Sequence, residues 1–255
     1  MPEASSKPSS LRSSSHRPRK RFGQHFLHEA GVIRRIVEAI APQNGECLVE
    51  IGPGEGALTR PLVERVGTLH VIELDRDLAG ALQSMEGVIV HQADALEFDF
   101  QGFPAGMRIV GNLPYNISTP LLFHLARYAA RVRDMHFMLQ AEVVERMVAA
   151  PSTPAYGRLS VALQARFHMR RLFGVAPGAF RPAPKVDSAV VRMQPRADML
   201  RVDDELLRRA FSARRKTLRN ALRGVDLAAA GIDGGLRPEN LSPEDYARLS
   251  MNSIL

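Results

Sequence analysis

The residues best suited to chemistry in this chain are four in a row, Asn112, Leu113, Pro114 and Tyr115. They follow a short apolar run, residues 107–111, whose pattern is typical of a buried strand. Asn112 can offer a carbonyl oxygen to an exocyclic amino group, and Pro114 stiffens a backbone whose carbonyls can accept a second hydrogen bond. Tyr115 adds an aromatic face for stacking. The motif suits binding of a flat, amine-bearing ring, although Asn and Pro are also common in ordinary turns.

A glycine-rich loop, Gly52-Pro53-Gly54-Glu55-Gly56, follows another apolar run and is the second candidate site. Glu73 ends the next predicted strand, 21 positions after Gly52. In nucleotide-binding sheets, an acid at about this distance accepts hydrogen bonds from ribose hydroxyls. The loop spacing is G-x-G-x-G rather than the G-x-G-x-x-G of dinucleotide sites, which disfavours an NAD-binding oxidoreductase. A ligand with ribose and adenine but no phosphates, such as S-adenosylmethionine, fits better.

The two candidate sites are expected to face one cleft. Asp94 follows the third predicted strand and either accepts from the adenine amine of the cofactor or caps a turn. In a doubly wound sheet, ligands bind beyond the carboxyl ends of the strands, where the strand order reverses. The strands before Gly52 and Asn112 are the neighbours expected at that point.

The elements that position these residues alternate along the chain. Periodicity predicts helices at 31–41, 57–66, 75–84, 118–130 and 142–149 and strands at 47–51, 68–73, 88–91, 107–111 and 135–139. This alternation predicts an α/β fold, a parallel sheet with helices on both faces. A strand pair at 167–175 and 187–193 closes the sheet, and Ser118 is a candidate helix cap.

Three regions are predicted from these patterns. Residues 1–20 form a disordered basic tail, residues 21–195 the sheet domain, and residues 196–255 a small all-helical domain. Within the last of these, helices are expected at 203–213, 216–223 and 243–251.

The charge distribution indicates a polyanionic partner. The net charge is +7, and residues 1–21 alone hold +5 of it. We interpret this tail as an RNA-contacting or solubilising arm; a mitochondrial transit peptide is less compatible, because no apolar face is present. A second concentration of seven cations lies between Leu206 and Arg223, with no acid among them: Arg208, Arg209, Arg214, Arg215, Lys216, Arg219 and Arg223. We predict that Arg214, Arg215 and Lys216 contact phosphates, the alternative being a solvated helix face.

The composition also excludes several classes of protein. No apolar run approaches the ~20 residues that span a bilayer, and no signal peptide is recognisable, so we expect a soluble, cytoplasmic protein. The single cysteine, Cys47, excludes an internal disulfide and a Cys-rich zinc site, and no metal is expected.

Several motifs together resemble the bacterial small-subunit ribosomal RNA adenine N6-dimethyltransferases. The resemblance runs from about residue 19 to residue 250 and rests on these stretches: residues 19–24, 50–54, 71–75, 111–118, 156–160 and 184–191. It implies a seven-stranded Rossmann-like class I methyltransferase sheet with a small helical C-terminal domain. It also implies that the enzyme dimethylates N6 of two adjacent adenosines in a hairpin loop near the 3′ end of 16S rRNA. The implied partner is the small ribosomal subunit or its precursor. The enzyme would be a monomer that takes part in subunit biogenesis.

The resemblance further implies which residues bind S-adenosylmethionine: His25, Leu27, Gly52, Glu73, Asp94 and Asn112. The family usually has Asn where this chain has His25, so either the imidazole or only the backbone contacts the cofactor there. The catalytic residues would be Asn112, Leu113, Pro114 and Tyr115. The Asn112 side-chain oxygen and the Leu113 carbonyl would accept the N6 hydrogens, which is electrostatic preorganisation rather than base catalysis.

The target base would stack on Tyr115. Phe180 either covers the other face of that base or is a core aromatic residue. Other functions stay open at this point: a large-subunit rRNA adenine methyltransferase, a DNA adenine methyltransferase, or a ribosome-assembly factor that binds RNA and methylates only secondarily.

Overall fold

The structure is a computed structural model that describes residues 24–252. The predicted disordered tail, residues 1–20, and most of the basic motif at residues 19–24 lie outside this range. Within it, no helix combines the length and the apolar character that crossing a bilayer requires.

Nine strands are present in the described residues, and seven of them form one sheet. They are β1 (Phe26–Leu27), β2 (Leu48–Ile51), β3 (Leu69–Glu73), β4 (Val88–Gln92), β5 (Met107–Asn112), β6 (Val132–Gln140), β7 (Phe167–Val175), β8 (Phe180–Arg181) and β9 (Ser188–Pro195). The large sheet has the order β4-β3-β2-β5-β6-β9-β7, and only β9 runs against the other six strands. The predicted seven-stranded α/β sheet with its closing hairpin is confirmed. Strands β1 and β8 form a separate antiparallel pair, which the sequence patterns did not indicate.

Helices cover both faces of the sheet. The described helices are α1 (Ala30–Ile40), α2 (Thr59–Val66), α3 (Arg76–Leu82), α4 (Ser118–Ala126), α5 (Ala141–Val148), α6 (Arg158–Gln164), α7 (Asp204–Ser212), α8 (Leu218–Ala221) and α9 (Pro243–Asn252). Helices α1, α2 and α3 bury their apolar sides in one core cluster, and α4, α5 and α6 contribute to the cluster on the opposite face. This arrangement fits strands that are buried on both sides.

A third core lies among the C-terminal helices. It joins residues of α7, α8 and α9 with residues of α6, including Val161 and Ala162. Helix α6 also packs on the sheet through Leu159 and Leu163, so one helix belongs to two cores. A boundary near residue 195 therefore stays a prediction, because the C-terminal helices share part of their core with the sheet region.

Two local predictions are wrong. The helix expected at 216–223 is only the short α8, because residues 213–215 form a turn and helical structure begins again only at Leu218. Ser118 is the first residue of α4 rather than its cap, and its hydroxyl donates to the Tyr115 carbonyl oxygen at 3.0 Å.

The start of the central strands is held by a buried ion pair. Arg108 on β5 donates two hydrogen bonds to Asp134 on β6, at 2.7 and 3.0 Å, and a third to Glu46 at 2.8 Å. Arg108 is only 3% exposed. Burial alone raises the pKa of the Asp134 carboxyl, but the hydrogen bonds and charge of Arg108 overcome it and hold the pKa below its ordinary value.

The opposite ends of β2 and β5 approach each other closely. The strands pair in parallel through Leu48, Val49 and Glu50, as the sequence predicts for the point where strand order reverses. A Cβ atom added to Gly111 would lie 2.4 Å from the Ile51 carbonyl oxygen, closer than real contacts allow. The glycine therefore sets the distance between the two strands that carry the candidate site.

We expect Gly111→Ala to destabilise the protein by at least about 1–3 kcal/mol, since the added methyl group must force β5 away from β2. Urea unfolding measures this change. Gly102→Ala is the matched control, because no atom lies within 4 Å of a Cβ added there. Equal stability of the two variants would contradict the close approach at Gly111.

Candidate functional site

All the predicted site residues of the sheet region except Phe180 line one open cleft at the carboxyl ends of β2, β3 and β5. The cleft has a volume of about 1090 Å³ when its open mouth is included. Nine of the residues singled out from the sequence line it: His25, Leu27, Gly52, Glu73, Asp94, Asn112, Leu113, Pro114 and Tyr115. Phe180, Arg214, Arg215 and Lys216 do not.

The glycine loop and the Asn112 motif meet at the base of the cleft. Gly52 has a φ of +66°, and a Cβ added there would lie 3.6 Å from the Asn112 carbonyl oxygen and 3.7 Å from Pro114 Cδ. A side chain at this position would therefore both strain the turn and fill the space between the two motifs.

Glu73 organises the acidic side of the cleft. Its Oε1 accepts from Asp75 N at 2.8 Å, and its Oε2 accepts from Gly54 N at 3.3 Å. One carboxylate thus ties the glycine loop to the start of α3, and each oxygen retains a lone pair for a ligand hydroxyl. At 7% exposure, burial raises the pKa of this carboxyl.

The charges that line the cleft are negative. Glu55, Glu73 and Asp94 contribute them, Glu50 adds a buried carboxyl that is only partly ionised near neutral pH, and no Lys or Arg of the described residues lines the cleft. A pyrophosphate would meet repulsion here, whereas a ligand with ribose hydroxyls and positive charge would be attracted. Leu74, 48% exposed, adds an apolar contact surface beside Glu73. These carboxylates and this apolar surface fit S-adenosylmethionine, whose sulfonium and ammonium groups are cationic.

Glu50 is a buried acid of the cleft that the sequence interpretation treated only as part of the loop motif. It is 1% exposed, and its Oε2 accepts from the Thr59 hydroxyl at 2.7 Å. Burial, reinforced by the charge of Glu73, raises the pKa of Glu50 to about 7. Its position inside an otherwise apolar strand was the sequence signal that could have identified it.

Two acceptors at the end of β5 accept no hydrogen bond from any of the described residues 24–252. Asn112 Nδ2 donates to the His25 carbonyl oxygen at 3.0 Å, which fixes the orientation of the amide. Leu113 is held by its own N–H, which donates to Met138 O at 3.1 Å. Within residues 24–252, neither Asn112 Oδ1 nor the Leu113 carbonyl accepts a hydrogen bond. Both are therefore available to a ligand amine.

Tyr115 is fixed beside these acceptors. Its hydroxyl forms a hydrogen bond with Ser188 Oγ at 2.6 Å, and its ring stacks on the His25 imidazole with a centroid distance of 5.3 Å. Burial raises the pKa of the Tyr115 hydroxyl. Ser188 lies on β9, far along the chain, so no local pattern could have paired it with Tyr115.

The position of Phe180 does not agree with the idea that it covers a target base. It is 2% exposed on β8 and packs in the core cluster of α1 and α2. The alternative stated from the sequence, a core aromatic residue, describes its place in this structure. Asp94 lines the cleft, and its Oδ1 caps a turn by accepting from Leu96 N at 2.9 Å, so the turn-cap alternative is confirmed, while its contact with the adenine amine stays a prediction.

Two of the seven cations between Leu206 and Arg223 lie close to acidic side chains, so this segment carries less net positive charge than its own sequence indicates. Arg208 pairs with Glu205 at 2.7 Å, and Arg214 lies 3.9 Å from Glu239. Both acids lie outside the segment from Leu206 to Arg223. Arg215 and Lys216 are exposed and form no ion pair with any residue in the described range. Arg215 and Lys216 are therefore better candidates for phosphate contacts than Arg214.

The chain is similar to named proteins over almost its whole length. Residues 15–253 match the family model described as ribosomal RNA adenine dimethylase. The chain is 60% identical to ribosomal RNA small subunit methyltransferase A of Aromatoleum aromaticum, over 93% of this chain and 94% of the relative. It is 57% identical to the protein of the same name from Thiobacillus denitrificans, over 92% of this chain and 97% of the relative.

Two solved structures have the same fold as this chain over most of its length. A dimethyladenosine transferase from Plasmodium falciparum superposes with a TM-score of 0.75 at 25% identity, covering 88% of this chain and 96% of that one. The 23S rRNA methyltransferase ErmE superposes with a TM-score of 0.65 at 27% identity, covering 89% and 98%.

The raised pKa of Glu50 predicts a pH-dependent stability. Because the pKa is about 7 in the folded protein against an ordinary 4.5, folding favours the protonated carboxyl. The stability that this shift contributes to the folded protein is fully present below pH 4.5. It is lost as the pH rises to about 7, and it does not change further above that pH. We expect Glu50→Gln to remove this loss and to be more stable than the unaltered protein at pH 8 by about 3 kcal/mol.

Urea unfolding at pH 5 and pH 8 measures the difference between the two proteins. Glu64→Gln, an exposed change on α2, is the control and should show no such pH-dependent difference. A Glu50→Gln difference that is the same at both pH values would contradict the raised pKa.

Proposed function

The chain belongs to the ribosomal RNA adenine dimethylase family, and we propose that its cleft brings bound S-adenosylmethionine and an adenine of small-subunit ribosomal RNA together for N6,N6-dimethylation. The observation that carries this is a pair of acceptors, Asn112 Oδ1 and Leu113 O, to which none of the described residues donates and which lie in the same cleft as Glu73 and Gly52. The substrate class follows the relatives that are named for the small subunit.

The acidic side of the cleft would hold the cofactor. Glu73 would accept hydrogen bonds from the ribose hydroxyls, and Asp94 would accept from the adenine amine. The tight turn at Gly52 leaves room for the ligand, and Leu27, Asn112 and the backbone of His25 complete the set. When bound, S-adenosylmethionine supplies a methyl group that its positively charged sulfur makes electrophilic.

The Asn112 side would hold the target base. The lone pair of N6 is delocalised into the ring, so the amine is a poor nucleophile in its flat form. Acceptors on its two N–H groups, Asn112 Oδ1 and Leu113 O, favour the pyramidal form and stabilise the positive charge that develops on it. Tyr115 would stack on the base, which must leave its own stack to enter the pocket, while Pro114 keeps the backbone of the motif rigid.

The RNA surface would include the exposed cations Arg215 and Lys216, with Arg214 in a mixed role because it also binds the Pro154 carbonyl. We further propose that residues 196–255 act as the RNA-binding helical domain and that the enzyme works as a monomer in the cytoplasm.

The targets are proposed to be two adjacent adenosines in a hairpin loop near the 3′ end of 16S rRNA, within the small subunit or its precursor. Mass spectrometry of rRNA from a strain lacking the protein tests this directly. Incubation of the purified enzyme with free small subunits, large-subunit RNA and duplex DNA separates the alternatives. The large-subunit alternative is not favoured, and modification of large-subunit RNA alone would overturn the proposal. Binding of small subunits without methylation would favour an assembly factor.

Replacing Asn112 by Ala tests the mechanism. We expect Asn112→Ala to lower kcat by at least about 100-fold, because it removes an acceptor that acts on the charge developing at N6. Affinity for small subunits, measured by filter binding, should change by less than about 2-fold, since the phosphate contacts lie elsewhere. Normal turnover in this variant would contradict the mechanism.

Charge reversal tests the RNA surface. In the Arg215→Glu, Lys216→Glu double variant, we expect affinity for small subunits to fall by about 10-fold or more. The slope of log affinity against log salt should decrease by about 1.4–1.8, the value for two lost phosphate contacts. Arg65→Glu, an exposed change at the end of α2, serves as the control. An unchanged salt slope in the double variant would remove these residues from the interface.

A further inference from the structure

The backbone and the side chain of His25 serve different partners. Its carbonyl accepts from Asn112 Nδ2, and the adjacent strand β1 is held by pairing with β8 through Phe26 and Arg181. The backbone contribution therefore orients the Asn112 amide, whatever side chain residue 25 carries.

The imidazole of His25 is committed to the Pro-rich loop and to Tyr115. Its Nδ1 lies 2.7 Å from the Pro182 carbonyl oxygen. A carbonyl can only accept, so Nδ1 carries the proton and donates. The ring stacks on Tyr115 at 5.3 Å with an interplanar angle of 29°. The side chain is thus held at one edge by the loop and presents its face to the tyrosine ring.

Tyr115 is consequently fixed at two points. Its hydroxyl forms a hydrogen bond with Ser188 Oγ, which is fully buried on β9, and one face of its ring is covered by His25. The part of the Tyr115 ring that lines the cleft is the surface available to a stacking base.

We propose that the His25 side chain is a positioning residue for the target adenine: it supports the Tyr115 ring on which the base stacks, instead of binding the cofactor. The inference rests on the proposed function of the cleft. It assigns to the imidazole a role on the base side, while the cofactor side is served by Glu73, Gly52 and Asp94. His25 acts through Tyr115 and is not a catalytic residue.

The second methylation should depend on this support more than the first. Adenine offers two N–H groups to Asn112 Oδ1 and Leu113 O, whereas N6-methyladenine retains only one. With one hydrogen bond fewer to orient it, the monomethylated base relies more on stacking against Tyr115. A loosened Tyr115 ring should therefore cause N6-methyladenine to accumulate.

Two substitutions separate the two side-chain contacts. His25→Phe keeps an aromatic ring against Tyr115 and loses the hydrogen bond to Pro182. His25→Asn keeps an N–H donor near the Nδ1 position and loses the ring. His28→Ala is the matched control, because His28 is exposed three residues away and contacts the loop through its backbone N–H to Ala179 O.

Three measurements are made on the full-length protein. Calorimetry without RNA gives the affinity for S-adenosylmethionine, steady-state kinetics with small subunits gives kcat and KM, and mass spectrometry gives the ratio of mono- to dimethyladenine. For His25→Asn we expect kcat/KM to fall about 3- to 10-fold, the size of a lost aromatic contact, with accumulation of the monomethylated product. Its affinity for S-adenosylmethionine should stay within about 2-fold. His25→Phe and the control His28→Ala should both give the same ratio of mono- to dimethyladenine as the unaltered protein.

Each other outcome overturns the inference. If His25→Asn weakens S-adenosylmethionine binding and leaves the product ratio unchanged, the side chain serves the cofactor. If His25→Phe is as impaired as His25→Asn, stacking on Tyr115 is not what the residue provides. An unaltered protein that methylates no adenine would remove the proposed function together with this inference, whereas active enzyme with an unaffected His25→Asn variant would remove the inference alone.

Discussion

The contact on which the site depends is the close approach of β5 to β2 at Gly111, where any side chain would collide with the Ile51 carbonyl. Immediately after this contact, β2 leads into the glycine loop and β5 leads into Asn112. Because both strands run in the same direction, their ends deliver the two motifs to one side of the sheet. The bidentate pair of Arg108 with Asp134 holds β5 to β6 at its other end. The distance between cofactor side and base side is therefore set by backbone packing.

Electrostatics divides the molecule according to its two ligands. The chain carries a net charge of +7, yet Glu50, Glu55, Glu73 and Asp94 line the cleft without a Lys or Arg among its described lining residues. A cationic cofactor is attracted inward, while an RNA backbone is attracted to exposed cations such as Arg215 and Lys216 and repelled from the cleft itself. An adenine can enter the cleft because a base is neutral, whereas its phosphates are better accommodated outside.

Much of this arrangement could be predicted from the sequence, because it depends on local patterns. Alternating apolar runs identify the central strands, and glycine spacing with an acid after the next strand identifies the cofactor side. Short elements could not be predicted. Two-residue strands such as β1 and β8 are too short to show a period, and α6 lies among residues with no clear amphipathic pattern. Side-chain contacts between residues that are distant in sequence could not be predicted either. Ser188 for Tyr115 and Glu239 for Arg214 are brought close only by the fold, and counting charges within one segment left out Glu205, which compensates Arg208.

The strand order of the sheet has a consequence for how the protein is made. Strand β9 is the last of the nine in the chain but lies between β6 and β7, and β7 pairs with no other strand. During synthesis, β6 therefore remains an unprotected apolar edge, and β7 has no neighbour, until residues 188–195 have left the ribosome. Ser188, the partner of Tyr115, is the first residue of that strand. The base pocket is thus completed by one of the last pieces of the sheet to be translated, and a nascent chain cut short before it would contain the cofactor loop without a finished place for the substrate.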